Sequence, residues 1–264
     1  MINVVRSEVT RLTRRGLVIG WLSLTAVFAV LINVVMFQVV SGAPTPPANG
    51  PGVSFPTEAQ LLSDHGIVAG LAAASSLFGV VTLAFWAIAT ATDYNTGLVR
   101  LLVAAHPIRW QLIIGKWFAL AIFTAAATAV ALAANLIAAP VAAQAADYSP
   151  TAWGTNLVPT LAAAAFNLFC ALLVWGTIGL ALASLTRSAG IAIGVGIGYV
   201  LLLESIIKAA ASVGDWLPGT TITALANGGT PHLAYPGALA LGLTYLGIAL
   251  IAATVVFTRR DITD

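Results

Sequence analysis

From Leu17 to Val40 the chain passes 24 residues without a charged side chain. A helix needs about 20 apolar residues to cross the roughly 30 Å hydrocarbon core of a bilayer, so this run suffices by itself. It is also too long for the apolar region of a cleaved signal peptide, about 7 to 15 residues, and reads as a retained span. Five further runs follow: Gly66 to Ala91, Trp117 to Ala143, Pro159 to Ser184, Gly190 to Ile207 and Pro236 to Thr258. Charged residues make up 8% of the 264 residues and hydrophobic ones 59%, against about 25% charged in an ordinary soluble domain. Backbone inside lipid must satisfy its own hydrogen bonds, which for segments of this length means helices. The expected fold is therefore an all-α integral membrane protein: residues 1–16 before the membrane, six spans within 17–258, and a tail of 259–264.

The net charge is only +2, too small to argue for a nucleic-acid partner. Its placement is lopsided. Arg6, Arg11, Arg14, Arg15, Arg100, Arg109, Lys116, Arg187, Arg259 and Arg260 fall on one side of the expected spans, and only Lys208 on the other. Basic residues stay on the cytoplasmic side, so both termini are expected there, in a multi-pass protein of the cell (cytoplasmic or inner) membrane. Ahead of the first span, Ile2, Val5, Val9 and Leu12 share a sector of about 80° on a helical wheel, with Val4 outside it. A basic amphipathic helix lying in the cytoplasmic interface on anionic lipid is expected there.

The outer loops are short. The first, Ser41 to Pro56, is rich in Pro and Gly and should run extended over the surface. The third, Lys208 to Tyr235, carries Trp216, Leu217, Ile222, Leu225 and Leu233, too apolar for a solvated loop. Short re-entrant helices packed on protein are expected instead.

Converging polar groups are scarce. His65, His106 and His232 sit in loops on both sides of the membrane, which argues against a shared metal site. Cys170 is the single cysteine, so no intramolecular disulfide can form, and a buried structural thiol is expected. The "IIGKW" segment lacks the first glycine and the final hydroxyl of a phosphate-binding loop. No catalytic, cofactor or metal residue is nominated. Glu204 is the one ionisable residue inside an expected span, near its outer edge, and Lys208 follows four residues on. Two readings stand: a structural interfacial pair, or a pathway carboxylate. Asn33, Asn135 and Asn167 suit interhelical hydrogen bonds, and Gly190, Gly194 and Gly198 suit close helix packing, within the subunit or across a dimer.

One stretch remains, "DYNTGLVRLLVAAHPIRWQLIIGK", Asp93 to Lys116, between the second and third spans. Leu98, Leu101, Leu102 and Ala105 follow the helical spacing, so a short amphipathic helix is predicted, ended by Pro107. The segment beginning "PIRWQ" then starts a helix that runs on into the third span. A simple connection needs only a few residues. The extra length points to a docking element.

These residues resemble the loop that follows the second span in the permease subunits of type-2 ATP-binding-cassette exporters. Asp93 stands for that loop's acidic residue, and Thr96-Gly97-Leu98 for its Gly-Thr-Leu helix with the first two in swapped order. His106-Pro107-Ile108-Arg109 gives its Pro-x-Arg element, and Gly115-Lys116 close it. The resemblance implies a coupling helix, with Asp93, Gly97, Leu98, Arg100, Leu101, Leu102, His106, Pro107 and Arg109 in the coupling segment. It also implies a separate ATPase subunit that holds ATP and Mg, and a second permease copy or homologue that completes the path. This chain would then be no enzyme by itself. The apolar spans suit a hydrophobic or amphipathic cargo, such as a drug, peptide antibiotic or lipid. Two other classes are carried: an ion- or proton-coupled secondary transporter using Glu204, and, last, a membrane enzyme or scaffold.

Overall fold

The structure is a computed structural model and describes residues 2–13, 16–41, 55–105, 108–204, 206–207 and 214–259. His106, Pro107, Lys208, most of the first outer loop and the tail beyond Arg259 lie outside the described residues. Among those described, all regular structure is helical. In chain order the helices are α1 (Ile2–Thr13), α2 (Gly16–Ser41), α3 (Glu58–Leu62), α4 (Ala69–Ala73), α5 (Ser75–Asn95) and α6 (Leu98–Ala105). They are followed by α7 (Arg109–Ala145), α8 (Leu157–Thr186), α9 (Ala189–Gly198), α10 (Pro218–Ala226) and α11 (Tyr235–Arg259).

Among the described residues five helices, α2, α5, α7, α8 and α11, are long and apolar enough to cross a membrane. They make this an all-helical protein suited to several passes. Two expected spans differ from their sequence outline. The run from Gly66 is not one helix: a 3-10 turn at Gly66–Val68 and the short α4 precede α5. The cause is side-chain competition for the backbone. Asn135 donates from its amide to the Ile67 carbonyl at 2.7 Å, and Asn33 donates to Asn135 at 2.9 Å. Both asparagines are fully buried, so these bonds hold α2, α7 and the turn together where no water can substitute.

The expected fifth span, Gly190 to Ile207, is also interrupted. The ten residues of α9 pass into a π-helical turn at Tyr199–Leu203. The glycines here divide. A Cβ on Gly196 would press on Leu83, whereas Gly194 and Gly198 have nothing within 4 Å. The spaced glycines thus do not serve packing inside the subunit.

The central contact is between α5 and α8, which run parallel. Trp86 of α5 lies over Gly176 of α8, and Trp175 of α8 lies over Gly79 of α5. Both rings are at most 2% exposed. The reciprocal fit depends on the missing Cβ atoms, because each would overlap the opposing indole. The Trp86 indole also donates to Thr124 of α7 at 3.0 Å, and Trp117 of α7 donates to Thr177 of α8 at 2.8 Å. Trp21 of α2 stacks on Phe85 with ring centroids 4.0 Å apart.

At 37 residues α7 is about 55 Å long, well beyond a bilayer core. It therefore extends as one rod from the connection after α6 into the bundle. In detergent, Gly176→Ala should lower stability by about 1–3 kcal/mol through overpacking on Trp86. Gly194→Ala should be neutral or slightly stabilising. Thermal unfolding of both variants checks the contrast.

Candidate functional site

At the end of the bundle where α1, the end of α5 and the start of α7 meet, four charged side chains form one cluster. Arg11 donates to Glu8 at 2.6 Å and to Asp93 at 2.9 Å. Lys116 bonds directly to Asp93 and lies 3.5 Å from Glu8. Glu8, Asp93 and Lys116 are each no more than 4% exposed. Among the described residues two carboxylates here face two cations. Such burial is tolerable only because the charges satisfy one another. The cavity beside them is about 20 Å³, too small for a ligand larger than a water molecule. The cluster is a clamp rather than a binding pocket.

The clamp explains how α1 sits. Val4, Glu8 and Leu12, spaced by four, are buried, and Ile2 is 84% exposed. Of the predicted apolar sector of Ile2, Val5, Val9 and Leu12, only Leu12 is on the buried face, Val5 and Val9 are half-buried beside it, and Val4, placed outside the sector on the wheel, packs. Gly115 makes the approach possible, since a Cβ there would come within 2.6 Å of Val4. Glu8 escaped the sequence reading. The available signal was its position midway between Val4 and Leu12, an acid in the centre of an apolar stripe.

The segment from Asp93 to Arg109 begins at this clamp. Gly97 adopts φ +68°, a left-handed conformation that favours glycine, and its N–H donates to the Tyr94 carbonyl at 3.1 Å. It ends α5 and turns the chain into α6, which gives the Thr96-Gly97 order a backbone reason. The predicted helix is present over Leu98–Ala105, but a different face is buried. Val99 is buried, with Leu102 and Val103 packed on the same core, while Leu101 is 69% exposed. Every residue of α6 except Arg100 is apolar, so periodicity alone could not choose the face. Leu98 is half-buried and Arg100 exposed beside Leu101. Arg109 donates to the Thr258 carbonyl at 3.3 Å, closing the last turn of α11.

Glu204 lies elsewhere, at the opposite end. It is 3% exposed and accepts from the Gly219 N–H at 3.0 Å and the Thr220 hydroxyl at 2.9 Å. Those groups belong to the first turn of α10, where unpaired N–H groups and the helix dipole favour a carboxylate. Glu204 therefore anchors the short apolar helix α10, whose Ile222 and Leu225 are buried against the bundle. Asn167 accepts from the Tyr235 hydroxyl at 2.7 Å. Among the described residues no three His, Cys, Asp or Glu side chains come together to hold a metal ion.

The family described as "Protein of unknown function (DUF2705)" matches residues 26–263. The chain belongs to that family. No curated protein matches it. The DUF2705 match takes in Asp93, Lys116 and all of α6 but begins inside α2. The half of the clamp that α1 supplies, Glu8 and Arg11, lies outside it.

In this DUF2705 chain, Lys116→Met should cost about 3–5 kcal/mol, because it removes a buried cation from beside two buried carboxylates. Adding Glu8→Gln to that variant should recover part of the loss. Thermal unfolding of the single and double variants measures both effects.

Proposed function

We propose that this chain is the transmembrane permease subunit of an ATP-driven exporter, coupled to a separate ATPase through α6. The observation that carries the reading is the arrangement of α6. One face of this short helix is seated on the bundle through Val99, Leu102 and Val103, and the opposite face presents Leu101 and Arg100 outward. An exposed leucine beside an exposed arginine, on a helix held at both ends, suits a protein partner better than solvent. Gly97 fixes one end, and the Arg109 contact to α11 follows the other.

In this reading the basic end of the bundle is cytoplasmic, and the partner ATPase binds ATP and Mg. Closure of that ATPase around nucleotide pushes on α6. The clamp passes the displacement to α7 and α1 together, since Asp93 at the foot of α6 is bonded to Lys116 and Arg11. With α9 and its π-helical continuation counted as the fifth crossing, the fold has six spans, and α10 re-enters the outer leaflet. A second permease copy or homologue completes the path, and the cargo is hydrophobic or amphipathic. The positive-inside distribution of Lys and Arg supports the orientation. The engagement of Glu204 with α10 favours an anchoring role for that carboxylate over proton coupling.

The test is co-expression of the chain with a candidate ATPase subunit, sought first among the neighbouring genes. The pair should co-purify, with ATP hydrolysis that responds to the permease. Leu101→Glu should abolish co-purification while leaving the melting temperature within a few degrees. Val99→Glu should instead destabilise the subunit itself, because it buries a charge. Retention of full coupling by Leu101→Glu would sink the proposal.

A further inference from the structure

At the end of the bundle opposite the clamp, a cavity of about 740 Å³ opens between α4, α8 and the turn after α10. Its volume falls within the roughly 300–1,000 Å³ of small-molecule sites, which are mostly apolar with a few placed polar groups. The apolar part comes from short or branched side chains, among them Val68, Leu71, Ala164, Leu168 and Ala226. Alanines at Ala163 and Ala164 leave the α8 wall low, so the space persists beside a helix that elsewhere packs large rings.

Two polar side chains of α8 line this cavity although they are deeply buried: Thr160 is 5% exposed and Asn167 is 9% exposed. The Tyr235 hydroxyl donates to the carbonyl oxygen of Asn167, and so fixes which end of the amide is engaged. Among the described residues, the amide nitrogen of Asn167 donates to nothing, and the Thr160 hydroxyl has no hydrogen-bond partner. Asn33 and Asn135, also inside the bundle, both use their amide nitrogens. Thr160 and Asn167 are seven residues apart, two turns, and therefore share one face of α8 about 10 Å apart. Among the described residues on the lining His65 is the only ionisable one, and its side chain is 73% exposed. Among the described residues no buried charge on the lining would balance a charged ligand.

We propose that this cavity binds an uncharged, elongated molecule with carbonyl acceptors on an apolar body. One acceptor takes the Asn167 amide and another, about 10 Å along, takes the Thr160 hydroxyl. Tyr235 is the positioning residue that holds the Asn167 amide in place. A blocked apolar peptide and a neutral acylglycerol share this chemistry. The site stands apart from the coupling helix and needs no ATPase, so its test is independent of that reading.

The experiment uses the purified full chain in detergent micelles and native mass spectrometry with three probes: N-acetyl-trileucine amide, dioleoylglycerol, and unblocked zwitterionic trileucine. One of the two neutral probes should bind, and the one that does identifies the source. Zwitterionic trileucine should bind at least about tenfold more weakly. Thr160→Val, close in shape and removing only the hydroxyl, should weaken the bound neutral probe about tenfold, as should Asn167→Leu. Ala164→Trp should abolish binding by filling the space. The proposal is overturned if neither neutral probe binds, if the zwitterion binds equally well, or if Thr160→Val and Asn167→Leu both leave affinity unchanged.

Discussion

Removing two carboxylates and an ammonium group from water costs several kcal/mol per ion unless each finds opposite charge at hydrogen-bond distance. At the basic end of this bundle that requirement is met only when three separated pieces of chain assemble: Glu8 and Arg11 from α1, Asp93 from the end of α5, and Lys116 from the start of α7. The positions of α1, α6 and the long α7 rod all depend on this assembly. Without the clamp α1 would be held by its apolar face alone, and the turn at Gly97 would launch α6 from a loose end.

The opposite end is organised by different chemistry. Uncharged amides bridge α2, α7 and the broken start of the second span through Asn33, Asn135 and the Ile67 carbonyl. Glu204 serves there as an anion at a helix start, holding α10 against α8 and α11. Between the two ends the bundle is joined by indole rings laid on glycines, a contact that tolerates almost no added volume. A middle that tolerates almost no added volume, with distinct polar fastenings at its two ends, holds the long helices as one packed body.

The apolar runs were legible because span length and composition are set by bilayer thickness, a constraint that acts on every residue of the run. The α6 helix and its start were legible as well, since spacing and a turn glycine are local signals. The face it buries was not. In "LVRLLVAA" seven of eight residues are apolar, and only packing on the core that holds Leu112, Ile113 and Phe257 chooses Val99, Leu102 and Val103 over Leu101. Lys116 looked like an ordinary flanking charge and Glu8 was passed over, because the two meet across 108 residues of chain. The break before α5 was hidden for a related reason: Ile67 leaves the helical ladder to meet Asn135, 68 residues on. Of the polar lining of the far cavity, Asn167 was legible as an amide inside a span but Thr160 was not, because it resembles the many span threonines that bond back to their own helix.

The central claim is that the buried charges lock α1, the foot of α6 and α7 into one unit. Hydrogen–deuterium exchange of the α1 amides, compared between the unmodified chain and Asp93→Asn in lipid nanodiscs, tests it most directly. The account predicts slow exchange across Val4 to Leu12 in the unmodified chain and exchange at least tenfold faster in the variant, with α8 unchanged. Equal protection of α1 in both proteins would contradict it.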